Sequence, residues 1–177
     1  MQMMADEVEQ RLRRLAEAHM AAVATYLRHR LYPLSIAELD DLIEDVLVVV
    51  WKRLDDCPVD SERAWMIGVA RNVLNNARRS SRRRSRLVAS LPAPEPSPSA
   101  EMWVLASRDI RDAMAQLEAI DREALMLHHW EGLTARDISV TLGIGVKAAE
   151  SRLSRAQARL RSALAVSAGR NLTGPGH

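Results

Sequence analysis

Eight arginines and no acidic residue fall between Arg63 and Arg86. Drawn on a helix at 100° per residue, Arg71, Asn72, Asn75, Arg78, Arg79 and Arg82 occupy one arc, with Arg63 heading the run. Trp65, Met66, Val69, Ala70, Val73, Leu74 and Ala77 occupy the opposite arc. Guanidinium forks pair with phosphate oxygens, and side-chain amides pair with base edges. A stripe of both along one helix therefore fits a nucleic acid. Just upstream the sign reverses: nine acids lie between Glu38 and Glu62, against only Lys52 and Arg53. Such a reversal implies two faces for two partners, one of them polyanionic, although two solvated helix faces would read the same way. The dense run Arg78–Arg86 is open to the same two readings, and its self-repulsion favours phosphate contact.

A second basic arc lies near the other end of the chain. Lys147, Ser151, Arg152, Arg155 and Arg159 share one side of a helical pattern whose other side carries Ala149, Leu153, Ala156 and Leu160. Ahead of it stand Thr134–Leu142 and Gly143. A short helix, a turn with glycine and a longer helix form the helix-turn-helix pattern, whose second helix can enter a major groove. Thr134 followed three residues later by Asp137 resembles a capping box, with Asp in place of the usual Glu.

Other candidate chemistry is weak. Asp40, Asp41, Glu44 and Asp45 could act as paired carboxylates, but no nucleophile, metal partner or Gly-rich phosphate loop accompanies them, so an enzyme is not expected. His128 and His129 are adjacent and point to different faces of a helix, without a Cys or carboxylate to complete a ligand set; their expected role is structural, with no metal and no cofactor. Trp51 and Trp65 lie on apolar arcs and are expected in the core rather than as stacking platforms. A lone Cys57 excludes an internal disulfide and fits a bystander in a cytoplasmic protein.

These residues must be positioned by helices. Hydrophobic residues make up 47% of the 177, aromatic residues only 3%, and Phe is absent. The core is therefore aliphatic, and few Gly and Pro remain for the turns of a β fold. The pattern predicts an all-α protein. A first helix runs from Asp6 to Arg30, continuous or broken, with Leu12, Leu15, Val23 and Leu27 inward, and Pro33 ends it. A second spans Ile36–Leu54 behind a capping Ser35. The loop Asp55–Asp60 follows, and Ser61 caps a helix reaching about Arg84. Four prolines in Leu91–Ala100 mark a linker. Beyond it, helices are predicted over Met102–Leu117, Asp121–Trp130, Thr134–Leu142 and Val146–Leu164. The reading is two small helical domains, 1–90 and 101–165, joined by the Pro-rich linker 91–100, with a disordered tail over 166–177. The first residues lack the order of a signal peptide, and no apolar run approaches the roughly 18 residues of a membrane span, so no membrane insertion is expected.

Two segments together resemble one family. Ala37–Leu54 followed by Arg63–Arg84 resembles the second domain of extracytoplasmic-function (ECF) sigma factors, and Leu117–Leu164 resembles their fourth domain, in the same order and with a short linker between. The resemblance implies a transcription initiation subunit. Its acidic helix would dock on the clamp helices of the largest subunit of core RNA polymerase through Asp41, Leu42, Glu44, Asp45 and Val48, and its fourth domain would meet the β flap. The loop Asp55–Ser61 and Arg63, Arg71, Asn72, Asn75, Arg78, Arg79 and Arg82 would recognise and open the −10 element, holding one unstacked base. Ser151, Ser154 and Arg155 would approach bases of the −35 element while Lys147, Arg152 and Arg159 hold phosphates. An anti-sigma protein is an implied partner. The chain departs from the family pattern at Glu44, usually Gln, at the apolar Val48–Val50, and at Glu150, usually basic. A free-standing helix-turn-helix regulator, acting without polymerase, is the alternative to weigh.

Overall fold

The computed structural model describes the backbone of residues 2–88 and 108–172, and side chains over 6–84 and 108–166. The linker Leu91–Ala100 and the expected helix start at Met102 lie outside the described residues. All regular structure among the described residues is helical, in two units.

The first unit holds α1 (Gln2–His29), α2 (Leu39–Lys52) and α3 (Glu62–Val88). α1 begins before Asp6 and runs unbroken. It contributes Leu15, Val23, Tyr26 and Leu27 to the core, while Leu12 is only half-buried. Leu39, Leu42, Val46 and Val50 recur at three and four residues along α2 and form its buried stripe. α3 packs on both helices with Trp65, Met66, Ile67, Val69, Ala70, Val73 and Leu74. The expected start of α2 at Ile36 is corrected: Ile36–Glu38 form a 3₁₀ turn and the α-helix begins at Leu39. Ahead of it, the Glu38 carboxylate accepts from the Ser35 N–H at 2.9 Å and the Ser35 hydroxyl at 3.2 Å. At the far end of α2 the Arg53 N–H reaches the Val49 carbonyl at 3.1 Å, and Arg53 pairs with Asp56 at 2.9 Å.

The second unit holds α4 (Arg108–Ala115), α5 (Ala119–His129), the first five residues of α6 (Ala135–Leu142) and α7 (Val146–Leu172). α4 and α6 have eight residues each, too short to be stable alone, so their ends and packing must hold them. The Arg122 guanidinium closes the end of α4 by donating to the carbonyls of Met114 (2.9 Å), Ala115 (3.3 Å) and Leu117 (3.0 Å). The Thr134–Asp137 box forms reciprocally: the Asp137 carboxylate accepts the Thr134 N–H at 3.0 Å, and the Thr134 hydroxyl accepts the Asp137 N–H at 3.2 Å. α6 ends in a Schellman turn, with the Ile144 N–H on the Ser139 carbonyl (3.0 Å) and the Gly143 N–H on Val140 (3.3 Å). Gly143 takes φ +66°, where a Cβ is strained. Ala149, Leu153 and Ala156 of α7 are buried, against α4 and α5. The expected end of this helix at Leu164 is corrected too: α7 continues to Leu172, so residues 166–172 of the expected disordered tail are helical, and 173–177 lie outside the described residues.

Since Gly143 sets the angle between the last two helices, Gly143→Ala is expected to lower the stability of the second unit by about 1–2 kcal/mol, the usual cost of a left-handed L-residue. Urea unfolding followed by circular dichroism measures it.

Candidate nucleic-acid interface

On α3 the predicted stripe divides by burial. Arg63, Asn72 and Arg79 are exposed, and Arg71, Asn75 and Arg82 are half-buried. Arg79 donates to the Asn76 side-chain oxygen at 2.5 Å. Arg78 goes inward: its guanidinium donates to the Arg30 carbonyl just past the end of α1, where helix carbonyls lack partners of their own. The Arg30 guanidinium in turn lies 4.1 Å from the centre of the Tyr26 ring. Arg78 thus joins α3 to α1, a role that a helical wheel cannot distinguish from an outward one.

The loop before α3 consists of two 3₁₀ turns, Leu54–Asp56 and Val59–Ser61. Leu54 and Cys57 anchor it in the core while Val59 stands 79% exposed between them and α3. Arg11 of α1 donates to the Cys57 carbonyl at 3.1 Å and pins the loop. Arg11 carries no sequence signal, because its partner lies forty-six residues away. Burial pushes the Cys57 thiol above its ordinary value, and the nearby Glu62 carboxylate adds to the rise while Arg11 opposes it. His19 lies 3.4 Å from that carboxylate.

α2 turns Asp41, Glu44, Asp45 and Val48 to solvent. Two expectations are corrected here. Leu42 is 3% exposed and belongs to the core, since its spacing from Val46 and Val50 puts it on the buried stripe. Trp51 is 57% exposed, because it stands one residue, and so about 100°, past the last buried position Val50. The exposed face of α2 is therefore acidic along one edge and apolar at Val48 and Trp51. A shallow groove of about 580 Å³ separates α2 from α3, with Asp41 and Asp45 on one bank and Arg83 and Arg84 on the other.

In the second unit, Lys147, Glu150, Ser151, Ser154 and Arg155 of α7 are exposed. Arg152 is held at 3.0 Å by Asp121 of α5, and Arg159 lies 3.8 Å from the other oxygen of that carboxylate and 4.0 Å from Glu118. Nothing in the sequence pattern singled out Asp121. His128 donates from Nδ1 to the Leu133 carbonyl at 2.8 Å, which fixes the turn after α5. Among the described residues no group of three or more His, Cys, Asp or Glu could hold a metal ion, and no helix is long and apolar enough to cross a membrane.

Comparison with known proteins covers both units. Sigma-70 region 2 matches residues 15–84, and Sigma-70 region 4 matches residues 107–160. The ECF RNA polymerase sigma factor SigL of Mycobacterium tuberculosis is 30% identical over 133 residues, 72% of this chain and 75% of that protein. The chain belongs to the ECF RNA polymerase sigma factors. NccH, an RNA polymerase sigma factor of Alcaligenes xylosoxydans xylosoxydans, is 28% identical to this sigma factor over 159 residues, 85% of this chain and 84% of that protein. The solved structure of CnrH in complex with the cytosolic domain of CnrY aligns with a TM-score of 0.57 at 27% identity, covering 88% of each chain. The sigma factor RpoE in complex with the anti-sigma factor NepR, from Bartonella quintana, shares the fold, with a TM-score of 0.51 at 24% identity over 94% of this chain and 99% of that one. The sigma factor is thus a transcription initiation subunit working with core RNA polymerase and promoter DNA, not an enzyme and not a free-standing regulator.

Because a raised thiol keeps its proton to higher pH, Cys57 is expected to react with iodoacetamide at pH 8 more slowly than glutathione does. Glu62→Gln removes one cause of the rise and should speed the reaction, as mass spectrometry of quenched samples would read.

Proposed function

We propose that this sigma factor divides its contacts among four surfaces, and that it does so in the cytoplasm. The exposed face of α2, with Asp41, Glu44, Asp45, Val48 and Trp51, docks on the clamp helices of the polymerase's largest subunit. The loop Asp55–Ser61 and the outward residues of α3, Arg63, Arg71, Asn72, Asn75, Arg79 and Arg82, recognise and open the −10 element. With little aromatic surface for stacking, a loop pocket beside a basic helix is the more coherent way to hold a flipped base. Ser151, Ser154 and Arg155, with Lys147 on phosphate, read the −35 element, and the second unit meets the β flap. The working domains are 1–90 and 101–172, joined by the linker 91–100.

The observation that carries this reading is the two-sidedness of α2. Its buried stripe holds the first unit together, while its other face presents acids beside exposed apolar side chains, a surface with no use inside this fold. The same surface suits an inhibitor. CnrH is solved with the cytosolic domain of CnrY, and an anti-sigma protein covering Val48 and Trp51 would keep this sigma factor from polymerase.

Co-elution with bacterial core RNA polymerase, followed by run-off transcription at two salt concentrations, tests the proposal. The native protein is expected to co-elute and to transcribe in a salt-sensitive manner. The Asp41→Lys/Asp45→Lys variant is expected to keep its helical spectrum and to bind core at least about tenfold more weakly, or ~1.4 kcal/mol. Normal transcription by a folded variant would show that α2 is not the dock.

A further inference from the structure

In the second unit, one buried carboxylate faces two arginines of the helix assigned to DNA. Asp121 is 2% exposed, yet its two oxygens point at different partners, Arg152 at 3.0 Å and Arg159 at 3.8 Å. Glu118, three residues earlier, stands 4.0 Å from Arg159. Two acids thus face two arginines, and the group is close to neutral. Both arginines lie on the basic arc of α7, where helix periodicity alone would assign them to phosphate. Taking them out of that account leaves Lys147 and Arg155 as the exposed cations over the first three turns of α7, opposed by Glu150.

We infer that Asp121 is a specificity-determining residue: it withholds Arg152 and Arg159 from phosphate, so that the recognition helix meets DNA with little sequence-independent attraction. The physical reason is that phosphate contacts add affinity for every sequence alike, whereas base contacts discriminate. A helix carrying four free cations would hold any duplex. One in which two are neutralised depends on Ser151, Ser154 and Arg155 reaching the right bases. The buried position of Asp121 matters for this, because water and salt do not screen it as they would a surface acid. Arg152 is itself only 28% exposed, so its orientation is set by the protein interior.

This inference rests on the reading of α7 as the DNA-binding helix, and the experiment separates the two. The full-length protein and its variants are titrated with a random-sequence duplex by fluorescence anisotropy over a range of salt. Lys147→Gln tests the underlying reading: the slope of log affinity against log salt should become shallower by about 0.9, the value of one phosphate contact. If it does not change, α7 is not on DNA. Asp121→Asn tests the inference: the slope should steepen by about 1 to 2 and affinity for random duplex should rise roughly five- to tenfold per phosphate gained at 0.1 M salt. Adding Arg152→Gln and Arg159→Gln to that variant should return the native slope, an outcome that mere loosening of the unit would not give. An unchanged slope in folded Asp121→Asn overturns the inference. Should that variant fail to fold, Arg159→Gln alone decides, since Arg159 is half exposed. Its slope should equal the native one, and a slope shallower by about 0.9 would show Arg159 already on phosphate and the inference wrong.

Discussion

The packing of α3 on α1 and α2 is the constraint from which the rest of the first unit follows. Trp65, Met66, Ile67 and Leu74 go from water to the interior along a helix whose other side must stay charged. Each such burial contributes about 1.5–3 kcal/mol before chain entropy is subtracted. Against a typical net stability of about 5–15 kcal/mol, this face cannot be given up without losing the fold. The polar face is then placed by the same rotation that buries the apolar one. A helix that must be core on one side and basic on the other has little freedom in its register.

The ends of the helices determine how precisely that orientation is kept. Orphan carbonyls and amides are expensive where water cannot reach them, and this chain answers many of them with side chains from other elements. Arg78 serves the end of α1, Arg122 the end of α4, and Asp137 with Thr134 the start of α6. Arg78 and Arg122 each join two elements while satisfying backbone carbonyls, and the Thr134–Asp137 box caps α6 from within. The Schellman turn at Gly143 does the same within the helix-turn-helix, and it directs α7 away from α6.

Arginine is consequently used in two ways. Some of the arginines on each basic arc hold the protein together, and others stand in solvent. Those that hold the protein face a carbonyl or a carboxylate supplied from elsewhere in the chain, as Arg78 faces Arg30, Arg11 faces Cys57 and Arg152 faces Asp121. The planar guanidinium suits both jobs, because its fork matches carbonyl, carboxylate and phosphate oxygens alike. The positive charge that α3 and α7 turn to solvent is therefore smaller than their composition.

Local patterns in the sequence were sufficient for everything that depends on periodicity and on near neighbours along the chain. The all-α class, the inward faces of α3 and α7, the Thr134–Asp137 box and the glycine turn at Gly143 all arise from residues within one or two helical turns of each other. The family resemblance was legible for the same reason, since it rests on two contiguous segments. What each face touches depends on distant contacts and is decided only by the tertiary structure. Leu42 is buried and Trp51 exposed, the reverse of what a wheel suggests, because the wheel shows an apolar arc but not which part of it the neighbouring helices cover. A wheel places Arg78, Arg152 and Arg159 on basic arcs, but it shows neither the Arg30 carbonyl that takes Arg78 inward nor the Asp121 carboxylate beside Arg152 and Arg159. Asp121 carries no sequence signal, because its partners lie thirty-one and thirty-eight residues away and a buried ion pair leaves no periodic mark in a sequence. What a helix face is made of is a local property, whereas what that face touches is settled by the rest of the fold.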